Sequence, residues 1–326
     1  MKYDEKLGVS VIIPAYNGES TLEMCIASVL EQDYEGPLEI IVVDDCSKDS
    51  TPNIAERLGA KVIKHGKNMG LAASINDGIR NARFHLVLIL HQDCILTSKK
   101  WLPTMVSELL SDNTIGVVSS PTFIPEHVFN TYSIWEKARA SWMHEEVPKM
   151  SHYIELNHDI FDKCDLFKKK VFEDIGFFDN KHYRTFMEDS DMSVRLRHAN
   201  YGILYVNIPV EHWDGWRKGY GFSRSIRKMY EANSATGVLC RRGGLKAHRR
   251  MLEIGKVLTP IVGLIFLATP YKLFAIPLLL LNPAAWAIRI HRRLHDYKFS
   301  LVAFVMGIIS LPWTTYGFLK GLVASK

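Results

Sequence analysis

The chain lacks most of the features that announce a function outright. Its five cysteines, Cys25, Cys46, Cys94, Cys164 and Cys240, are odd in number and never spaced as C-x-x-C. That argues against a disulfide framework and a structural zinc site, and fits a reducing compartment. No G-x-G-x-x-G follows the first strand-like run and no G-x-x-x-x-G-K-[ST] occurs anywhere, so a dinucleotide-dependent dehydrogenase and a P-loop enzyme both lack their phosphate cradle. Charge of one sign is scarce: 40 Lys+Arg stand against 35 Asp+Glu, a net of +5, too mild to argue for a nucleic-acid partner. The opening MKYDEKLG is polar, runs straight into a strand-like segment and has no signal-peptide pattern.

What is present is a chain of 326 residues, 47 % hydrophobic and 23 % charged, the composition of a folded protein with ample core. The hydrophobic residues are unevenly placed. Up to about Asn233, apolar and charged segments mix. Between Ile254 and Leu322 lie three apolar runs: VLTPIVGLIFLAT, LFAIPLLLLNPAAWAI and FSLVAFVMGIISLPWTTYGFL. The last, about 21 residues, is long enough to cross a hydrocarbon core of roughly 30 Å. The first two are shorter and hold Pro260, Pro270, Pro277 and Pro283, which leaves two tilted crossings or a re-entrant hairpin. The basic segments RRGGLKAHRR (Arg241 to Arg250) and RIHRRLHDYK (Arg289 to Lys298) favour the cytoplasmic side and anionic head groups. The expectation is a multi-pass protein of the cell membrane. Residues 1–235 would form a catalytic domain on the cytoplasmic side, and residues 236–326 a membrane-associated region of two to three hydrophobic helices in contact with membrane lipids. A buried soluble helical domain is the alternative.

Within the first part, apolar strand-like runs alternate with helical patterns. VSVII and LEIIVVDD read as buried strands, AKVIKH as a third, short strand and FHLVLIL as a fourth, with TLEMCIASVLEQ, STPNIAERLG and GLAASINDGIRNAR as helices between them, the first with Ser20 or Thr21 and Glu23 as a capping region. Such alternation predicts an α/β fold with a doubly wound, mainly parallel, Rossmann-like sheet whose ligands bind at the carboxyl ends of the strands. Polar residues stand at those ends: Pro14, Ala15, Tyr16 and Asn17 after the first strand, Asp44 and Asp45 after the second, His91, Gln92 and Asp93 after the fourth. Any one of these acids is explained by a turn or a helix cap, but three polar strand ends converging on one edge point to a site. Further on, MEDSDMSVRLR sets Glu188, Asp189 and Asp191 at the start of a helix. Three acids suit the helix dipole and its caps, and their clustering also raises the pKa of at least one, which suits a general base.

These segments, VSVIIPAYNGESTLEMCIASVLEQ, EIIVVDDCSKDST, KNMGLAASINDGIRNA, LILHQDC and GFFDNKHYRTFMEDSDMSVRLRHANYG, taken in this order, resemble glycosyltransferase family 2 over about Val9 to His212. The resemblance implies a GT-A fold and inverting transfer of a sugar from a nucleoside-diphosphate sugar. It implies that Pro14 to Asn17 with Asp44 and Asp45 form the nucleoside pocket, the second acid being the family's usual base contact. Asn68, Gly70 and Asn76 match the loop and helix beneath the donor, where turn and helix-cap roles remain the alternative. HQDC matches the metal-binding D-x-D with His91 in place of the first acid, leaving Asp93 to bind Mg²⁺ or Mn²⁺, Gln92 beside the donor, and His212 completing the metal or diphosphate site. Asp189 matches the base, with Glu188 and Asp191 beside it; Arg217 and Lys218 would assist the leaving diphosphate.

In the middle segment Tyr132, Trp135 and Trp142 either stack on acceptor sugars or pack in a helical core. The expected partners are a nucleoside-diphosphate sugar, a lipid-linked or saccharide acceptor or a polyprenyl phosphate, and membrane lipids, with no nucleic acid. A catalytically inert nucleotide-sugar-binding membrane subunit is the competing possibility, kept open by His91.

Overall fold

The computed structural model describes residues 7–140, 154–156, 160, 163–183, 186–213, 222–242, 247–294 and 297–323. The chain divides into two compact units, 1–128 with 145–217, and 129–144 with 218–326. The boundary expected after residue 235 therefore falls inside a helix of the second unit, Phe222–Arg241.

The first unit opens with the expected alternation: β1 (Val9–Ala15), α1 (Leu22–Leu30), β2 (Leu38–Asp44), α2 (Thr51–Arg57), β3 (Lys61–Lys64), α3 (Leu71–Asn81) and β4 (Leu86–Leu90). It continues through β5 (Cys94–Leu96), α4 (Trp101–Ser111), β6 (Ile115–Ser119), β7 (Thr122–Phe123) and the short helix α5 (Glu126–Asn130), which ends in the second unit. After α6 (Ile134–Ala140), a second-unit helix, come β8 (Ile154–Leu156), β9 (Cys164–Lys168), α7 (Lys170–Ile175), α8 (Glu188–His198), β10 (Gly202–Val206) and β11 (Val210–His212). The main sheet runs β3-β2-β1-β4-β9-β6-β10-β8. β1 pairs in parallel with β2 and β4, β2 with β3, and β10 with β6. β9 is inserted antiparallel between β4 and β6, and β8 lies antiparallel on β10. The sheet is thus mixed but dominated by parallel pairs.

Every residue of β1 is buried because both faces of the sheet are covered. Val9, Val11 and Ile13 point into a core with Leu22, Ile26 and Val29 of α1, while Ile12 points the other way among Ile75 and Ile79 of α3. α1 begins at the expected place, with Thr21 as its cap residue, but no side chain caps it. The amides of Thr21 and Leu22 bond instead to the carbonyl of Gly18, at 3.0 and 2.9 Å.

The second unit is helical: α6, α9 (Phe222–Arg241), α10 (Ala247–Leu267), α11 (Ala275–Leu294) and α12 (Tyr297–Val323). α9 and α12 pack tightly because small residues face each other. A Cβ on Gly321 would stand 1.9 Å from the carbonyl oxygen of Ser234, and one on Gly237 2.2 Å from that of Phe318. Gly317 and Gly321, four apart on α12, form the small-residue groove that lets two backbones approach. Trp135 packs with Met229, Trp286 and Phe299 around buried Ile290, Ala303 and Met306. Tyr132 is buried near Phe129, their ring centroids 5.9 Å apart. Of the two roles open to these aromatics, both occupy the packing one; Trp142 lies outside the described residues.

Among the described residues only α12 is long and apolar enough to cross a bilayer. This corrects the expectation of several crossings. α10 spends its first turns on His248, Arg249, Arg250 and Glu253, and α11 ends on Arg289, Arg292 and Arg293. Their uncharged stretches, residues 257–267 and 275–288, fall short of the roughly 20 residues a crossing needs.

Candidate active site

The parallel register sets the two strand tips side by side. Ala15 pairs with Asp44, and the amide of Asp45 donates to the carbonyl of Ala15 at 2.7 Å. The chain after β1 turns sharply, with Asn17 at φ 52°. Asn17 is held on both sides: its amide donates to Ser47 Oγ at 2.8 Å, and its Oδ1 accepts the amide of Lys48 at 2.8 Å. Tyr16 is left with its ring exposed. Asp44 and Asp45, both buried, differ in how much of their carboxylates is occupied. The Asp45 carboxylate accepts the amides of Met69 and Gly70, at 2.6 and 2.8 Å, and its Oδ1 faces His65 Nδ1 at 2.8 Å. Among the described residues Asp44 accepts the amide of Ser47, 3.3 Å from each oxygen.

Asp45 therefore organises the 65–70 loop. Gly70, at φ 96°, directly precedes α3, and Asn68 Nδ2 donates to the carbonyl of Asp45 at 3.3 Å. His65 spans two acids, its Nε2 lying 3.1 Å from Asp77 Oδ2. Sequence reasoning passed over His65, because only the parallel pairing of β2 and β3 brings it beside Asp45. Asn76 is occupied elsewhere. It is 1 % exposed, donates through Nδ2 to the carbonyl of Phe178 at 2.8 Å and accepts the Phe178 amide at 3.0 Å. Asn76→Ala leaves that buried amide without its acceptor, so a loss of about 2 kcal/mol in folding stability is expected. A urea melt checks it through a lower midpoint at unchanged slope.

HQDC forms a tight turn. The amide of Cys94 donates to the carbonyl of His91 at 3.0 Å, and the amide of His91 donates to the carbonyl of Lys163 at 2.9 Å. Gln92 and Asp93 stand at its corner. Gln92 reaches back to the first strand tip, accepting the amide of Tyr16 on Oε1 at 2.8 Å and donating through Nε2 to its carbonyl at 3.3 Å. A Cβ on Gly18 would meet that Oε1 at 2.2 Å, so the close approach of the two tips depends on glycine there. β5 leaves the turn to join a second sheet of order β5-β11-β7. In it Cys94 pairs with His212, and the amide of Trp213 donates to the carbonyl of Asp93 at 2.8 Å.

That pairing brings His212 Nε2 within 3.4 Å of Asp93 Oδ1. His212 is 5 % exposed, and its Nδ1 is buried with no partner among the described residues. One oxygen of Asp93, the sulfur of Cys94 and one imidazole nitrogen of His212 all lie within 4.8 Å of one another. A carboxylate and an imidazole this close suit a divalent cation, so the residues present fit the metal that the resemblance implies. Burial, reinforced by the charge of Asp93, pushes the thiols of Cys25 and Cys94 well above the ordinary range.

The acids of α8 divide by role. Asp191 Oδ2 accepts from Arg195 Nε at 2.8 Å, and Arg195 Nη1 donates to the carbonyl of Ile175 at 3.0 Å. Asp191 thus holds the helix and the preceding segment. Glu188 is fully buried. Asp189 is half-buried; its backbone carbonyl accepts from Ser193 Oγ at 2.8 Å, and its Oδ1 lies 2.6 Å from the amide of Ser190. α8 packs on β10, and the foot of β10 follows its carboxyl end after a short turn. Its amino end therefore points to the carboxyl edge of the sheet, where Asp44, Asp45, Gln92 and Asp93 stand. Within α8, Ser193 Oγ accepts the amide of Ile160 at 3.0 Å. Arg217 and Lys218 lie outside the described residues.

The profile of Glycosyl transferase family 2 matches residues 10–176, just over half of the chain. The chain belongs to this family. Among curated proteins it is similar to chondroitin synthase of Pasteurella multocida (strain Pm70), 32 % identical over 130 residues, which are 38 % of this chain and 13 % of that protein. It is also similar to an uncharacterized glycosyltransferase of Rickettsia prowazekii (strain Madrid E), 30 % identical over 174 residues, 52 % of this chain and 53 % of that one. The chain thus spans about half the length of these relatives, or less. Among solved structures it resembles a mannosyltransferase from Pyrobaculum calidifontis in complex with GDP-Man and Mn²⁺, with a TM-score of 0.58 and 19 % identity over 95 % of this chain and 86 % of that one. At that identity the likeness shows the fold, which is GT-A-like. Residues 10–176 thus carry the family 2 glycosyltransferase domain, and its strand-tip edge is the place to look for a nucleotide-sugar site.

Proposed function

We propose that this glycosyltransferase moves a sugar from a nucleoside-diphosphate donor to an acceptor hydroxyl with inversion at the anomeric carbon. The acceptor is lipid-linked or a saccharide, or a polyprenyl phosphate, at the cytoplasmic face of a membrane. The observation that carries the chemical part is the 3.4 Å approach of His212 to Asp93, with Asp189 at the amino end of α8, the helix that leads into β10.

The nucleoside would lie against Pro14, Ala15, Tyr16 and Asn17, with the exposed Tyr16 ring available to the base. The Asp45 carboxylate already has three contacts in its loop, so Asp44 has the freer carboxylate for a base or ribose donor. Asp93 and His212 would hold a Mg²⁺ or Mn²⁺ ion, which supplies positive charge to the departing diphosphate. Asp189 takes the acceptor's proton. The new bond to the anomeric carbon forms from the face opposite the diphosphate, and the broken bond's electrons leave with the nucleoside diphosphate. The transition state is oxocarbenium-like, as in sugar transfer generally. Orientation at the shared edge supplies much of the remaining rate.

Two features support the membrane half. α12 keeps an exposed apolar face, including Leu301, Ile308, Ile309 and Trp313, suited to lipid. α10 and α11 pair through Asn282 Nδ2, which donates to the carbonyl of Lys256 at 2.6 Å, and they are basic at one end and apolar at the other. The helices α10 to α12 thus read as one crossing beside a helical hairpin held at the interface, and the first unit as the transferase domain.

The test incubates the full chain in vesicles with Mg²⁺ or Mn²⁺ and UDP-, GDP- or dTDP-sugars. Release of nucleoside diphosphate that depends on added lipid acceptor, with a product of inverted anomeric configuration by NMR, is expected. Retained configuration overturns the mechanism, and binding without turnover returns the inert-subunit alternative.

A further inference from the structure

The geometry points to a second class of ligand for the Asp93–His212 pair: a thiophilic divalent cation, Zn²⁺ above all, held through Cys94 as third ligand. This inference rests on that pair being the cation site. It differs in making this chain's site a mixed oxygen, nitrogen and sulfur cage rather than an oxygen-and-nitrogen one.

Cys94 and His212 are direct partners across the antiparallel β5–β11 ladder, so their side chains leave the same face, with Asp93 one residue earlier at its end. All three donor atoms fall within 4.8 Å of one another. The 3.4 Å between Asp93 Oδ1 and His212 Nε2 equals the edge of a tetrahedron whose metal bonds are about 2.0–2.1 Å. Zinc-bound sulfur lies at about 2.3 Å, so the Cys94 sulfur, within 4.8 Å of the other two donor atoms, reaches the third corner by a side-chain adjustment, and the fourth is left for water or a phosphate oxygen. The position is enclosed, with Cys94 fully buried and His212 5 % exposed, so a cation held there is shielded from water. Mg²⁺ prefers six hard donors in an octahedron, whereas thiolate with imidazole selects Zn²⁺ or Co²⁺. As the sulfur–metal bond forms, the thiol proton is released to solvent. The same cage that accepts Mn²⁺ through two donors therefore takes Zn²⁺ through three, and Zn²⁺ displaces Mn²⁺ and blocks transfer.

The test uses the purified full chain. Co²⁺ titration of the wild type is expected to raise a near-ultraviolet thiolate-to-cobalt band, absent in Cys94→Ser and kept in Cys164→Ala, which alters a nearby buried thiol. In competition, Zn²⁺ binding weakens at least about tenfold in Cys94→Ser, while Mn²⁺ binding, followed by electron paramagnetic resonance, changes by less than about threefold. X-ray absorption on the Zn²⁺-loaded wild type, which needs no variant, should show one sulfur at about 2.3 Å. A Co²⁺ band that survives Cys94→Ser, or a zinc shell without sulfur, overturns the proposal while leaving the Mn²⁺ site intact. Failure of Mn²⁺, Co²⁺ and Zn²⁺ alike to bind brings down the cation-site reading beneath it.

Discussion

Asp189→Asn is expected to lower turnover by about three orders of magnitude while leaving nucleoside-diphosphate affinity within about twofold. A positioned general base contributes roughly 10²–10⁴ in rate, and an amide cannot take the acceptor's proton. The substitution is isosteric. The bond from Ser193 Oγ to the backbone carbonyl of residue 189 does not involve the altered group, so the helix should start where it does now. Steady-state kinetics and calorimetric titration with the nucleoside diphosphate measure the two effects separately. Asp191→Asn is the contrasting variant. It weakens the 2.8 Å bond from Arg195 Nε and with it the Arg195 tie to the Ile175 carbonyl. Its cost should appear chiefly as a lower melting temperature, with turnover per folded molecule reduced far less. If Asp189→Asn kept most of its activity, the proton would have to go elsewhere, and Glu188, fully buried one residue earlier, would be the next acid to test.

The difference between these acids illustrates how far the sequence could be read. The strands β1, β2 and β4 were legible because burial on both faces of a parallel sheet leaves continuous apolar runs, and each of these runs ended on the polar residues that now line the edge. The insertion of β9 between β4 and β6 was not legible: nothing in CDLFK says that it runs against its neighbours, since register and direction come from tertiary pairing. For the same reason the contact of His212 with Asp93 could be expected only through family resemblance, while its cause, the short β5–β11 ladder, has no local signature. Asn68, Gly70 and Asn76 were open between two roles. Asn76 proves to be bound on both sides to Phe178, and Gly70 gives its amide to Asp45. The expectation of several crossings allowed the two shorter apolar runs to span as tilted helices, which their length does not support. Arg249, Arg250, Arg289 and Arg292 consume turns that a crossing would need.

Removal of the divalent cation should have an effect of comparable size. Dialysis against a chelator is expected to abolish transfer, and Mn²⁺ or Mg²⁺ to restore it. Asp93→Asn should lower turnover by about 10²–10³ even at high cation concentration, because charge on the leaving diphosphate worth several kcal/mol goes unmatched and each 1.36 kcal/mol is tenfold. His212→Ala should act more through affinity: the cation concentration needed for half-maximal rate rises about 10–100-fold, and saturating cation recovers much of the rate. The two variants thus separate charge from coordination. Asp93→Asn preserves the backbone carbonyl that accepts from Trp213, so the β5–β11 ladder and the pairing of Cys94 with His212 should survive it. Full activity in chelator would remove Asp93 and His212 from the chemistry and shift the neutralising charge to cationic side chains. Activity lost in chelator but unaffected by Asp93→Asn would mean that the ion binds elsewhere, because a carboxylate 3.4 Å from a buried imidazole is the pair on which the cation site is built.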